Sequence, residues 1–446
     1  MCSIRVPIMR TRTTERKWWR SRQAKNAVNK LVFATGAVAL FTSSTHGASF
    51  APAAKATNEF GIDLYRKIAP GEKNICLSPY SISCALAMTL DGADGETRRE
   101  MARVLHLDPK VESDSSFAAL QESLGEIGPK TARIAGESKQ NGGPSESITI
   151  AVANRLFAQA GYEFRPQFFA EVKENFGAAP EIVDFAQDAS AATRRINDWV
   201  AQQTRDRIRD LIPQPLVPAT RLVLANALYL KAPWANEFSA DATKPEPFHI
   251  RGQNAVDVPT MQKLAQLRYA KLKGFSAVAL SYSGGDLQFV VLIPDEVDGL
   301  GRLEKQLTAD LLDDCAKMNA SEVLLHLPKF KFEPPTIQLA AELQGLGMKT
   351  AFDIPPGSAN FDRMAPRRPS DYLAISDVFH KTFITLDEKG TEAAAATAVA
   401  MVRTTAMRPM TPPKPIEVKV DRPFIYAIQH VPSGACLFLG RITDPR

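Results

Sequence analysis

Six histidines, His46, His106, His249, His326, His380 and His430, are the side chains best suited to general acid–base or metal chemistry. They are scattered, and no HExxH, GxSxG or phosphate-loop pattern accompanies them. A scattered histidine without a paired nucleophile or carboxylate serves structure more often than catalysis, so the chain reads as no enzyme. The five cysteines, Cys2, Cys76, Cys84, Cys315 and Cys436, contain no CxxC pair, which argues against a zinc or redox centre. No metal site and no cofactor are expected. Cys76 and Cys436 have apolar neighbours on both sides, and free buried thiols are expected rather than disulfides.

The remaining chemical signal is a stretch of backbone, residues 388–415. It opens on Glu388, Lys389 and Gly390, and from 391 to 402 it holds one charge and neither proline nor glycine. Composition then changes abruptly, with Arg403, Arg408, Pro409, Pro412, Pro413 and Pro415. Alanine runs favour helix. Yet Thr391, Ala393, Ala395, Thr397, Val399 and Met401 form an alternating row of small or apolar side chains. The opposite row, Glu392, Ala394, Ala396, Ala398, Ala400 and Val402, is nearly as undemanding. Two readings stand at this level. One is an alanine-rich helix or linker. The other is a loop able to become a central strand, a place from which proline is excluded.

The elements around this stretch read as α+β, with helices first and strands dominating later. Residues 58–69 place Phe60, Leu64 and Ile68 on one helical face. Residues 84–88 belong to an apolar helix opened by Pro79. Residues 95–107, 117–127 and 189–211 carry further helical patterns, and 128–146 reads as an exposed loop. Residues 148–157, 221–230, 287–293 and 323–327 read as strands.

Charge places the two ends of the chain in different environments. Residues 1–48 hold nine Lys or Arg and one Glu, a local net of +8, which leaves about −3 from the total of +5 for the body. The body therefore offers no basic surface for nucleic acid. The leader has a basic region, an apolar core over 31–41 and a small polar region over 42–48, the tripartite pattern of an export signal. A secreted, extracellular or periplasmic location is expected, the alternative being a basic tail on a cytoplasmic protein.

Residues 374–391 (AISDVFHKTFITLDEKGT) and 418–428 (VKVDRPFIYAI) resemble the strand-hinge and signature regions of the serpin family. Residues 74–97 (NICLSPYSISCALAMTLDGADGET) resemble its shutter and following helix. Ala153-Asn154, 183–185, 196–200, 222–238, 247–248, 294–296 and 327–330 agree in order, so the likeness runs from about residue 57 to the end. It implies one serpin domain over 56–446: three β-sheets, eight to nine helices and an exposed reactive-centre loop at about 388–415. It also implies a suicide-substrate inhibitor of serine or cysteine proteases. The cleaved loop would enter a sheet as a new strand and drag the acylated protease over fourteen residues, roughly 45–50 Å. The alternative is a non-inhibitory serpin acting as a carrier or chaperone.

The family pattern assigns roles to particular residues. Glu388, Gly390, Thr391, Glu392, Ala393, Ala394, Ala395 and Ala396 would form the hinge, where small residues ease burial. Family spacing puts the scissile bond at Thr404–Thr405, which suits an elastase-like or subtilisin-like target. A shift of one puts it at Arg403–Thr404, which suits a trypsin-like one. The stretch from 405 to 415 is longer and richer in proline than the family's, a departure that bears on which bond is cut. Ser78, Ser81, Asn226 and His380 would form the shutter, and Trp234 would mark the breach where insertion begins. The segment matching the family's heparin-binding helix, 111–127, carries Glu112, Asp114, Glu122 and Glu126 and no Lys or Arg, so no heparin site is expected. A monomer that meets a target protease is the expected state.

Overall fold

Ser78 and Pro79 show how the sequence starts its elements. The Ser78 Oγ accepts from the Ser81 N–H, and Pro79 takes the first helical position, where an N–H has no intrahelical partner to lose. Every residue of the helix they open is buried. The computed structural model describes residues 49–108, 113–138, 146–177, 179–252, 254–392 and 414–446. All of them belong to one compact unit, His46–Arg446.

Nine α-helices are present among the described residues. They are α1 (Ala51–Ile68), α2 (Pro79–Asp91), α3 (Gly95–Val104), α4 (Ser113–Ser138), α5 (Pro166–Phe176), α6 (Phe185–Gln203), α7 (Leu300–Gln306), α8 (Ala309–Ala316) and α9 (Ala340–Leu346). The first strands are β1 (Ile75–Leu77), β2 (Thr149–Gln159), β3 (Glu181–Val183), β4 (Leu222–Pro233), β5 (Lys244–Arg251) and β6 (Asn254–Leu272). Next come β7 (Phe275–Ser281), β8 (Leu287–Pro294), β9 (Ala320–Pro328), β10 (Phe330–Phe332), β11 (Ile337–Gln338) and β12 (Ile375–Thr382). The last are β13 (Ile384–Asp387), β14 (Gly390–Thr391), β15 (Ile416–Lys419), β16 (Phe424–His430) and β17 (Cys436–Ile442).

The architecture is α+β. Two of the three expected sheets are continuous, because the long β6 serves both. Its first part pairs with β5 and β9, and its last residues, from Arg268, pair with β7. The ladder continues through β8, β16 and β17 to β1. A separate sheet has β3 and β2 on one side of β4, and β12, β13, β10 and β11 on the other. Leu222, Leu224, Leu228 and Leu230 of β4 enter the main core with α2, while Val223, Ala225 and Ala227 pack under α6 with Ile196, Trp199 and Val200. Period-two alternation thus gives β4 two buried faces, which explains its nearly continuous apolar sequence.

Three expectations need correction. The expected loop over 128–146 is helical to Ser138, despite Pro129. Ile127, Thr131 and Ala135 stay buried at helical spacing, and the Thr131 hydroxyl donates back to the Ile127 carbonyl, so packing carries the helix across the proline. The longer helix adds Lys130, which pairs with Asp286 at 2.7 Å, and Arg133. The helix expected over 189–211 ends at Gln203, where Arg205 and Asp206 take positive φ and the Thr204 hydroxyl accepts from the Ile208 N–H. The first helix begins at Ala51, seven residues before the expected 58. Cys76, Cys84, Cys315 and Cys436 are buried free thiols. Burial pushes the Cys84 thiol up to about 12.

Candidate functional site

Strands β4 and β12 run parallel and pair from Leu222 with Ile375 to Leu228 with Thr382. Beyond Thr382 they part, and β13 leans on β10 instead. The space between them holds β14. Gly390 pairs with Asp387 on one side and Pro233 on the other, and Thr391 pairs with Leu386 and Ala232, antiparallel in both directions. A two-residue strand therefore already sits at the head of a seam that is otherwise closed.

The head of the seam is built around Trp234. Its backbone N–H donates to the Lys389 carbonyl at 2.8 Å, and its indole N–H donates to the Asp387 carbonyl at 3.0 Å. Tyr282 stacks on the indole with ring centres 4.6 Å apart. The Tyr282 hydroxyl lies 2.5 Å from Thr391 Oγ1, which satisfies the buried threonine. Glu388 receives hydrogen bonds from Lys329 Nζ at 2.7 Å and Thr243 Oγ1 at 2.8 Å. Burial opposes its ionisation, but these donors outweigh burial and hold the carboxyl below its usual range. Glu392 takes positive φ as the chain leaves β14, and its Oε1 lies 2.5 Å from Arg207 Nε.

Below the head, a buried polar cluster spans the seam. The Ser78 N–H donates to His380 Nε2 at 3.0 Å, so the ring proton sits on Nδ1 and is donated to Asn226 Oδ1. Asn226 Nδ2 donates to Ser81 Oγ at 2.7 Å and to Asn154 Oδ1 at 2.6 Å, and Ser81 Oγ donates to Asn154 Oδ1 at 2.8 Å. His380 is on β12 and Asn226 on β4, and they are partners in the parallel register. The seam cannot open without breaking this contact. Burial lowers the His380 pKa to about 3, so the ring is neutral.

The structure brings Ser78, Ser81, Asn226 and His380 together as one cluster, and Trp234, Glu388, Gly390, Thr391 and Glu392 together at the head of the seam. Ala393, Ala394, Ala395 and Ala396 lie outside the described residues, as do both candidate bonds, Thr404–Thr405 and Arg403–Thr404, and the leader 1–48. Sequence reasoning missed five participants: Asn154, Arg207, Thr243, Tyr282 and Lys329. Asn154 and Lys329 fall inside stretches that carry the family resemblance. For Arg207, Thr243 and Tyr282 only the topology supplies a signal.

A family model described as Serpin (serine protease inhibitor) matches residues 55–445. An uncharacterised serpin-like protein of Thermococcus kodakarensis is 36% identical over 399 residues, covering 89% of this chain and 86% of its own. Leukocyte elastase inhibitor of Sus scrofa is 35% identical over 403 residues, covering 87% and 98%. Among solved structures, Serpin48 of the insect Tenebrio molitor superposes with a TM-score of 0.72 at 29% identity over 88% of this chain and 97% of that one. Human thyroxine-binding globulin complexed with thyroxine superposes with a TM-score of 0.73 at 26% identity over 89% and 100%. The chain belongs to the serpin family.

Proposed function

We propose that this serpin is a suicide-substrate inhibitor of serine proteases, and that its loop, once cut, fills the seam between β4 and β12. The observation that carries this reading is β14, whose two residues already pair antiparallel with both walls. Continuing its register down β4 takes residues 392–401 from Lys231 to Leu222, the far end of the strand. One parallel ladder is exchanged for two antiparallel ones, which pair more strongly per residue. The row containing Thr391 would face the core, and the alanine row would lie on the face that packs against α6. A protease held as an acyl-enzyme beyond residue 402 would be carried the length of β4, roughly 40 Å for twelve residues.

The target is read as a serine protease, elastase-like or subtilisin-like if Thr404–Thr405 is cut and trypsin-like if Arg403–Thr404 is cut. The relative named leukocyte elastase inhibitor supports the first. No catalytic role is assigned to the chain itself. An exported monomer is the proposed state, read from the leader pattern and tested by sequencing the secreted product and by size-exclusion chromatography. To test the inhibitory reading, mix the full chain with elastase-like and trypsin-like proteases and run a denaturing gel. A covalent band at the summed mass supports it, and sequencing the released fragment locates the bond. Cleavage without that band, with either enzyme, favours the carrier reading.

A further inference from the structure

One edge of β6 pairs with β9, and the other pairs with β5 as far as Thr260 and with β7 from Arg268 onward. Between Thr260 and Arg268 no strand lies beside that second edge among the described residues, and a cavity of about 240 Å³ opens there. Lys263, Trp234, Asn236, Gln266, Arg268 and Ser281 are among its lining residues, so its wall is largely polar. It is larger than the engineered cavities of about 150 Å³ that admit benzene, so a three-carbon molecule fits.

Lys263 is half-buried beside this opening. Its Nζ stands 5.1 Å from the centre of the Phe238 ring and donates to the carbonyls of Asn236 and Glu237, the second at 3.0 Å. Lys130 and Lys329 each meet a carboxylate, whereas Lys263 makes no ion pair among the described residues. Burial therefore lowers its pKa to about 8, and the charge of Glu237 opposes this only in part. At pH 7.4 about one-fifth of such a lysine is the neutral amine, against about one-thousandth of a freely exposed one. The bond to Asn236 lies at the exposed end of the side chain, so a reagent can reach the nitrogen. A desolvated, accessible and unpaired lysine is the form of this side chain that attacks carbonyl carbon.

We propose that Lys263 is a covalent modification site for small α-hydroxyaldehydes, whose hydroxyl groups are held by the polar wall of the cavity beside it. The neutral amine adds to the aldehyde carbon, and the nitrogen lone pair then expels the new hydroxyl. The proton lost from nitrogen leaves with it as water, and an imine remains. The imine isomerises without an external oxidant or reductant. Two protons leave, from the hydroxyl-bearing carbon and from its oxygen, and two return, to the former aldehyde carbon and to nitrogen. The product is an aminoketone. The adduct crowds a nitrogen that ties down the segment from Trp234 to Phe238, whose end N–H groups donate to the carbonyls of Lys389 and Glu388. Modification therefore loosens the turn that precedes β14.

The test treats the folded full chain with glyceraldehyde and cyanoborohydride, which reduces the imine where it forms, and maps the labelled peptides by mass spectrometry. At short times Lys263 should take the label about tenfold faster than the median of the other lysines, and unfolding the chain in urea should abolish this preference. Label spread evenly over the lysines of the folded chain overturns the site. Propanal, with three carbons and no hydroxyl, should show a preference for Lys263 about threefold smaller. An equal preference overturns the hydroxyl recognition. The labelled, uncleaved chain should unfold at lower urea than the untreated one, with Lys263→Arg treated in the same way to correct for label elsewhere. An unchanged midpoint with Lys263 fully labelled overturns the link to β14. If Lys263→Arg fails to fold, the peptide map of the unaltered chain still decides the site.

Discussion

A methyl group on Gly390 would lie 2.1 Å from the carbonyl oxygen of Ala232. The glycine also has φ of +153°, a conformation that residues with a side chain rarely adopt. Gly390 thus allows two backbones to close on each other at the head of the seam. Gly390→Ala should expel β14 and separate Thr391 from Tyr282. The uncleaved protein should lose on the order of 2 kcal/mol, read from its urea midpoint. It should also be cut more often without trapping. An unchanged midpoint would mean that the seam tolerates the methyl group, and the close approach would have no energetic meaning.

Much of this arrangement was legible in the chain before its fold was known. The strands expected over 148–157 and 221–230 begin one residue ahead of β2 and β4 and otherwise lie within them, because β-branched and leucine-rich runs bounded by turns leave few alternatives. The structure departs from the sequence pattern at 128–146 and beyond Gln203 for local reasons. Pro129 carries a breaker signal that buried neighbours override, whereas the helix after Gln203 ends at residues without glycine or proline. The contacts of the site were illegible in a different sense. Tyr282 and Thr391 are separated by 109 residues, and Thr243 and Glu388 by 145. No periodicity within either segment encodes such a meeting. The register of β14 against β4 brings them together.

The ion pair of Glu388 and Lys329 ties the turn before β14 to the end of β9. Lys329 is 35% exposed and Glu388 15%, so solvent screens the pair only partly. Glu388→Lys should cost about 1–2 kcal/mol, less than the loss of a fully buried pair. The reversed pair, Glu388→Lys with Lys329→Glu, should recover about half of that. Denaturant midpoints of the four proteins close the cycle. No recovery in the double variant would assign the role of Glu388 to Thr243 and the backbone instead.

Acid should weaken the fold through two histidines. Burial lowers His380 to about 3 and His430 to about 4. An unfolded histidine takes up its proton near pH 6.5, whereas these two stay neutral in the native state. The unfolded chain therefore binds more protons as pH falls below 6.5. Stability is full above that pH and declines toward 4 for His430 and 3 for His380. The slope should approach about 1.4 kcal/mol per pH unit for each. Urea midpoints between pH 5 and 7.5 would show it, and His380→Gln should remove its share. A flat profile across that window would mean that His380 is not buried as a neutral ring.

The most specific consequence of the seam concerns Thr397, the one hydroxyl in the inserting row below Thr391. Counting on from Thr391 paired with Ala232 brings residue 397 opposite Asn226. Counting on from Thr391 paired with Leu386 brings it opposite His380. Both walls give the same position, and it is the place where these two side chains now bond to each other. Insertion as proposed would break that bond in a dry interior, and the threonine hydroxyl, both donor and acceptor, could replace it on either side. Thr397→Val keeps the shape and removes the hydroxyl. The cleaved form should lose about 1–3 kcal/mol for the polar group left unsatisfied, while the uncleaved midpoint should hold. Moving the hydroxyl one place up the same row, with Ala395→Thr added, should not restore it, because residue 395 would face Leu228. If Thr397→Val gained as much stability on cleavage as the unaltered chain, the loop would not enter in the register that β14 begins.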